Sequence, residues 1–314
     1  MATQTGALEA PAARTQKPTS LWRDAFGRLV RNRLAVVGGF LVLMLIVLGV
    51  FGPYIAPYPY WQQDIPLVQA HNNLPLSPGT AGRVFGTDLF GRDLLSRLLD
   101  GARISLSVAV VVQFVVLFIG VPVGAVAGWF GGRIDSYLMR FTDVIYAFPD
   151  LLLIILMTVT LRDTPFGGAL DGLLLVYVAI GLVAWVTMAR LVRGQLLSLK
   201  ETEYVEAARA IGVPDRRIVT RHLLPNAIGP VIVAVTLGIP GAILTEATLS
   251  FIGIGVNAPR ASWGKLIYDG KSWMGTEPHL VIFPAIAIAL TLLSFTWLGD
   301  GLRDALDPKL KGKQ

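Results

Sequence analysis

The run Glu203-Tyr204-Val205-Glu206-Ala207-Ala208-Arg209-Ala210-Ile211-Gly212 is charged and helix-forming, and it lies between two apolar spans. It continues through Val213-Pro214-Asp215 into a basic segment that ends His222-Leu223-Leu224-Pro225. Glu203, Glu206 and Arg209 recur at a helical i, i+3 spacing, and Val205, Ala208 and Ile211 do so on a neighbouring stripe. Ala207, Ala208 and Ala210 favour helix and carry little bulk, so another surface can approach closely. Gly212 stands where a left-handed C-terminal cap is expected, and Pro214 suits the first position of a second helix. Asp215 in that first turn favours the helix dipole. Pro225 disfavours helix at Leu224, which predicts a turn there with Asn226 as the next N-cap. The expected unit is short helix, sharp turn, second helix and re-entry into apolar sequence. On these residues alone two readings stay open: a loop presented to a soluble partner, or basic helices lying on a bilayer surface.

The flanking chain supplies the bilayer. Its 314 residues are 54% hydrophobic and only 15% charged, with a mean hydropathy of +0.61, whereas soluble domains carry roughly 25% charged residues. Six stretches are long enough to cross about 30 Å of hydrocarbon: 34–51, 104–130, 141–161, 172–189, 227–251 and 280–298. The third and fifth contain acids, Asp143 and Asp150 in one and Glu246 in the other. Nineteen of the 27 lysines and arginines fall on the side of the N-terminus and eight on the other. The positive-inside bias therefore predicts that both termini and the Glu206 loop are cytoplasmic. The implied organisation is a cytoplasmic tail (1–33), a first transmembrane helix (34–52), an extracytoplasmic loop (53–103), a five-helix core (104–299) carrying the hairpin (201–225), and a cytoplasmic tail (300–314). The first twenty residues have the composition of a disordered tail. They are not read as a cleaved signal, because the first apolar run begins late, is long and lacks a small-residue cleavage site.

Several reaction classes find no support. There is no cysteine, and the three histidines, His71, His222 and His279, are scattered, so neither thiolate nor histidine metal clusters are expected. The net charge of +6 is distributed around apolar spans rather than in one stripe, which argues against nucleic acid. No phosphate loop is present, so the chain is not expected to hydrolyse ATP by that route, and no Gly-x-Ser-x-Gly or His-Glu-x-x-His motif suggests an enzyme.

The spacing Glu-Ala-Ala-x-x-x-Gly, followed about a dozen residues later by Leu224-Pro225, resembles the cytoplasmic loop of ABC importer permeases. The family's usual aliphatic residue two places before that leucine is replaced by His222. Arg221-His222-x-Leu224-Pro225-Asn226 resembles the dipeptide and oligopeptide branch. Further blocks resemble that branch. They are Phe85-Gly86-Thr87-Asp88 with Gly91-Arg92-Asp93 and Ser96-Arg97, Gly101 to Leu106, Leu249 to Gly255, Ser262-Trp263-Gly264, and Gly299 to Pro308. Together they cover about residues 85–308 and point to the second, C-type subunit.

The resemblance implies an all-α polytopic fold of six transmembrane helices, similar to type I ABC importer permeases, in a bacterial inner membrane. It implies a homologous permease as heterodimer partner, two ATPase subunits that hold the ATP and Mg, an extracytoplasmic solute-binding protein and surrounding lipid. The chain itself would carry no cofactor. Residues carried over as ATPase-docking are Tyr204, Glu206, Ala207, Ala208, Arg209, Gly212, Leu224 and Pro225. The implied function is ATP-driven inward transport of peptides by alternating access. Nickel chelates, glutathione and oligosaccharides remain open as substrates, and an ion-coupled secondary transporter as the rival class. Acids inside spans are costly and so are functional candidates. Asp143 and Asp150, seven apart, are expected on one helical face; Asp150 and Glu246 are candidates for pathway lining or subunit packing. Pro122, Pro149, Pro230, Pro240 and Pro284 are expected to kink their spans.

Overall fold

The computed structural model describes residues 21–307; the first twenty residues and residues 308–314, including most of the expected tails, lie outside them. Among the described residues the chain is helical without a strand. Helix α1 (Leu21–Arg31) leads into α2 (Arg33–Ile55), and Asn32 caps α2 by accepting from the Leu34 and Ala35 amides at 3.1 and 3.2 Å. A short α3 (Ile65–Ala70) precedes α4 (Leu94–Phe130), α5 (Gly132–Ala147), α6 (Asp150–Leu161), the single turn α7 (Pro165–Gly168) and α8 (Leu173–Lys200). The hairpin supplies α9 (Glu203–Ala210) and α10 (Asp215–Ile218). After them come α11 (Leu224–Phe251), α12 (Trp263–Gly270) and α13 (His279–Leu306). Five helical stretches are each long and apolar enough to cross a membrane, and the α5–α6 pair makes a sixth only if counted as one bent span.

One expectation about the spans needs correction. The third is not one helix: α5 and α6 meet at 82°. Pro149 pushes Phe148 out of the helical region, to φ −81° and ψ 139°. Asp143 and Asp150 therefore sit on different helices rather than on one face. The helix that carries the second stretch, 104–130, begins ten residues before it, because Asp93 accepts from the Ser96 amide at 2.8 Å and nucleates α4. The other four prolines expected to kink spans lie inside continuous helices.

Packing centres on α4 against α8. Gly120, Gly124 and Gly128 place a flat, i+4-spaced stripe on α4. A Cβ at Gly120 would stand 2.8 Å from the Trp185 carbonyl, one at Gly128 would stand 2.9 Å from that of Arg193, and one at Gly124 would collide with that of Ala189. In a bilayer the hydrophobic effect cannot drive helices together, so this close backbone approach supplies the dispersion energy that holds the pair. Helix α2 packs on α13 and α4, and α11 packs on α13, α4 and α8. At one end Arg28 donates to the Asp307 carbonyl at 3.2 Å, while Leu306 lies beside Gly229. The last turn of α1, the end of α13 and the start of α11, which continues from the hairpin, therefore share that end.

The opposite end is locked by buried charge. Asp88 accepts from Arg92 Nε at 2.6 Å, Arg97 Nη1 at 2.7 Å and the Phe90 and Arg92 amides. Asp269 on α12 accepts from Arg97 Nη2 at 3.3 Å. The Trp263 indole donates to the Leu98 carbonyl at 3.1 Å, tying α12 to α4. The Gly86-Thr87-Asp88 to Ser96-Arg97 block is thus a structural clasp, with its buried arginines paired as burial requires.

Candidate functional site

The hairpin is built as a rigid element. Helix α9 ends in a Schellman motif: the Gly212 amide donates to the Arg209 carbonyl at 2.9 Å and the Val213 amide to that of Ala208 at 3.0 Å. Gly212 holds φ +77°, which only glycine adopts without strain. Pro214, expected as the first residue of the next helix, is instead its N-cap at φ −66° and ψ 143°. Its carbonyl accepts from the Arg217 and Ile218 amides at 2.8 and 3.1 Å.

The predicted turn at Leu224-Pro225 does not occur. Val219–Leu223 form a π-turn in which the Leu224 amide reaches back five residues to the Val219 carbonyl. This wider turn carries the helix past Pro225, whose missing amide would otherwise interrupt the ladder. Asn226 is consequently no N-cap; its Nδ2 donates to the His222 carbonyl at 2.7 Å and to Tyr204 Oη at 3.3 Å, linking the two arms. The second arm and α11 therefore form a continuous helical stretch, Asp215–Phe251.

Three fully buried side chains, Val205, Ile218 and Leu223, anchor the hairpin in the same apolar core as Trp129, Val192 and Leu196. Lys200 donates to the Trp129 carbonyl at 2.7 Å, and the Arg209 guanidinium lies 4.7 Å from the Trp129 ring centroid. Cation–π contact and burial thus fasten the loop to the end of α4. The aromatic Trp129 and the apolar positions Ile218 and Leu223 were not singled out from sequence, although Trp129 is the aromatic residue that closes the glycine stripe. Ile211 corrects the expected stripe: Val205 is buried and Ala208 half-buried, but Ile211 is 81% exposed, because the chain leaves helical geometry at the cap.

What remains on the free face is Tyr204, Glu206, Ala207, Arg209, Ile211, Gly212 and Pro225, all exposed, with Leu224 and Ala208 half-buried beneath them. The face combines an acid, an arginine, an exposed isoleucine and small residues, which suits a mixed apolar and charged protein contact. No group of acids, histidines or cysteines among the described residues could hold a metal ion.

The remaining candidates lie elsewhere. Asp150 is exposed in the first turn of α6, where the helix dipole favours it. Asp143 pairs with Arg190 at 2.7 Å. Glu246 is completely buried; Ser250 Oγ donates to its Oε1 at 2.7 Å, Ser262 Oγ lies 3.2 Å from Ser250 Oγ, and Oε2 has no donor among the described residues. It joins α11 to the start of α12 beside the clasp and is far in sequence from the hairpin.

Residues 120–312 match the family described as binding-protein-dependent transport system inner membrane component, and residues 20–75 match the N-terminal TM domain of oligopeptide transport permease C. The chain is 44% identical over 291 residues to the oligopeptide transport system permease protein OppC of Haemophilus influenzae, covering 92% of this chain and 89% of that one. It is also 44% identical over 293 residues to the dipeptide transport system permease protein DppC of Bacillus subtilis, covering 93% and 87%. Its fold is similar to a chain of the MetNI methionine ABC transporter in an inward-facing conformation, with a TM-score of 0.55 and 22% identity over 67% of this chain and 96% of that one.

Proposed function

The chain belongs to the family of binding-protein-dependent transport system inner membrane components, and on that premise we propose that it is one permease subunit of an ATP-driven peptide importer. The substrate class follows the relatives named for oligopeptide and dipeptide transport. Tyr204, Glu206, Ala207, Ala208, Arg209, Gly212, Leu224 and Pro225 form the face that docks on an ATPase subunit, which holds ATP and Mg. A second, homologous permease completes the pathway, a second ATPase serves that subunit, and an extracytoplasmic solute-binding protein delivers the substrate. Both termini and the hairpin face the cytoplasm, in keeping with the excess of lysine and arginine on that side.

One observation carries the mechanism: the hairpin's second arm is continuous with α11, while its first arm is pinned to Trp129 at the end of α4. A push on the exposed face therefore has no flexible joint in which to dissipate. It moves α4, α8 and α11 together, which is what closure of the ATPases needs to convert an inward-open bundle to an outward-open one. The test is peptide uptake into proteoliposomes holding this chain, the second permease and the ATPases, with the binding protein added outside. Uptake should require both ATP and the binding protein. Uptake driven by an ion gradient without ATP would reject the proposal in favour of a secondary transporter.

A further inference from the structure

At the end of the bundle opposite the hairpin, a cleft of about 400 Å³ opens between the last turn of α2 and the first turns of α4. Tyr58, Tyr60, Trp61, Asp100, Arg103 and Arg260 line it. Asp100 is 2% exposed; its Oδ1 lies 3.5 Å from Arg260 Nη1, and its Oδ2 has no donor among the described residues. A buried carboxylate oxygen left without a hydrogen bond is costly. Arg260 donates through Nε to Asp171 at 3.0 Å and approaches Asp100 only at Oδ1. Arg103, one turn along α4 from Asp100, is exposed and makes no salt bridge among the described residues. The cleft therefore presents a buried carboxylate with one oxygen left without a donor, paired on its other oxygen with Arg260, and a second, exposed cation about a helical turn away.

We propose that this cleft binds the headgroup of an amine-bearing phospholipid, with its ammonium on Asp100 and its phosphate against Arg103. The zwitterion matches the two charges in sign. A lipid rather than a soluble zwitterion is selected by the wall: Val50, Phe51, Tyr54 and Ile55 at the end of α2 are 52–78% exposed and face away from the bundle. They continue into Pro53 and Ala56 at the rim of the cleft. Acyl chains can run down that apolar face while the headgroup sits among tyrosines and a tryptophan, the residues that favour a membrane–water interface. An ammonium bearing N–H groups is required, since Oδ2 needs a donor and a quaternary amine has none.

The test uses the full chain within its purified transporter complex, exchanged into detergent and supplied with defined lipid, with retained lipid read by native mass spectrometry. Phosphatidylethanolamine should be retained, and phosphatidylcholine held more weakly by roughly tenfold or more, the loss of a charge-assisted hydrogen bond. Asp100→Asn and Arg103→Gln should each release the retained ethanolamine lipid. Arg103 is exposed, so the second variant reads the site even if the first fails to fold. Equal retention of the two lipids, or unchanged retention in Arg103→Gln, would overturn the proposal. Displacement of the lipid by free phosphoethanolamine or dialanine at comparable concentration would overturn it too, assigning the cleft to a soluble zwitterion.

Discussion

Replacing Gly212 by valine is expected to uncouple the hairpin while leaving the bundle intact. A Cβ at this position meets nothing within 4 Å among the described residues, so no side-chain clash contributes. The whole cost is backbone: at φ +77° an L-residue loses about 1–2 kcal/mol, and a β-branched one sits at the upper end. That reduces the native cap against its alternatives by roughly five- to thirtyfold. The penalty falls on the two Schellman bonds to Ala208 and Arg209, so the end of α9 and the exposed Ile211 lose their fixed aim. The anchors Val205, Ile218 and Leu223 lie below the cap and stay buried. Expected results are wild-type abundance in the membrane, weakened co-purification of the ATPases, and uptake reduced several-fold or more. Gly212→Asn, which tolerates the left-handed region, should recover most of the uptake. Normal uptake by Gly212→Val at normal abundance, or an asparagine variant as impaired as valine, would refute the reasoning.

Other substitutions separate scaffold from docking face. Gly124→Leu should abolish membrane accumulation, because its side chain would drive into the Ala189 backbone, whereas Gly229→Ala, whose Cβ meets Leu306 at 3.9 Å and no other residue outside its own helix among those described, should accumulate normally; immunoblots of membrane fractions decide both. Glu246→Gln keeps an acceptor for Ser250 and should retain stability, while Glu246→Ala, which takes away the acceptor of the Ser250 hydroxyl and opens a void, should cost about 1–3 kcal/mol in a thermal-shift assay of the complex. Equal stability of the two would remove the hydrogen-bond argument. A single cysteine in place of Lys200 should resist an impermeant thiol reagent applied outside intact cells, and one in place of the exposed Gly79 or Met274 should react; reaction at position 200 would reverse the orientation. The purified chain without partners should show no ATPase activity above a membrane-protein control, and substantial hydrolysis would contradict its role as a subunit that borrows its energy.

The membrane architecture was legible because hydropathy acts over about twenty residues and tolerates local error, so every expected apolar stretch falls within a helical stretch or the bent pair. Gly212 was legible for a different reason: a glycine after an alanine-rich run followed by proline leaves few conformations. Interactions that depend on partners distant in sequence were not legible. Pro225 predicts a turn by local rules, yet the π-turn at Val219–Leu223 absorbs it, with Leu223 held in the apolar core. Ile211 fits a helical stripe by counting, but the cap rotates it outward. The stripe Gly120, Gly124 and Gly128 could have been read directly, as its four-residue spacing is the known signal for close helix approach. Trp129 gains its meaning only from Lys200 and Arg209, brought to it by the fold.

The central claim is that the exposed hairpin face touches an ATPase. Because the chain has no cysteine, Ile211→Cys gives one thiol at the most exposed apolar point of that face. The assembled transporter, treated with a short homobifunctional thiol cross-linker, should yield a single adduct whose mass is this chain plus one ATPase subunit, provided that subunit carries an engineered cysteine in its membrane-facing groove. The yield should change when ATP is added, since closure moves the docking face. Failure of the thiol introduced at position 211 to cross-link across a scan of that groove, with the complex intact, would contradict the account.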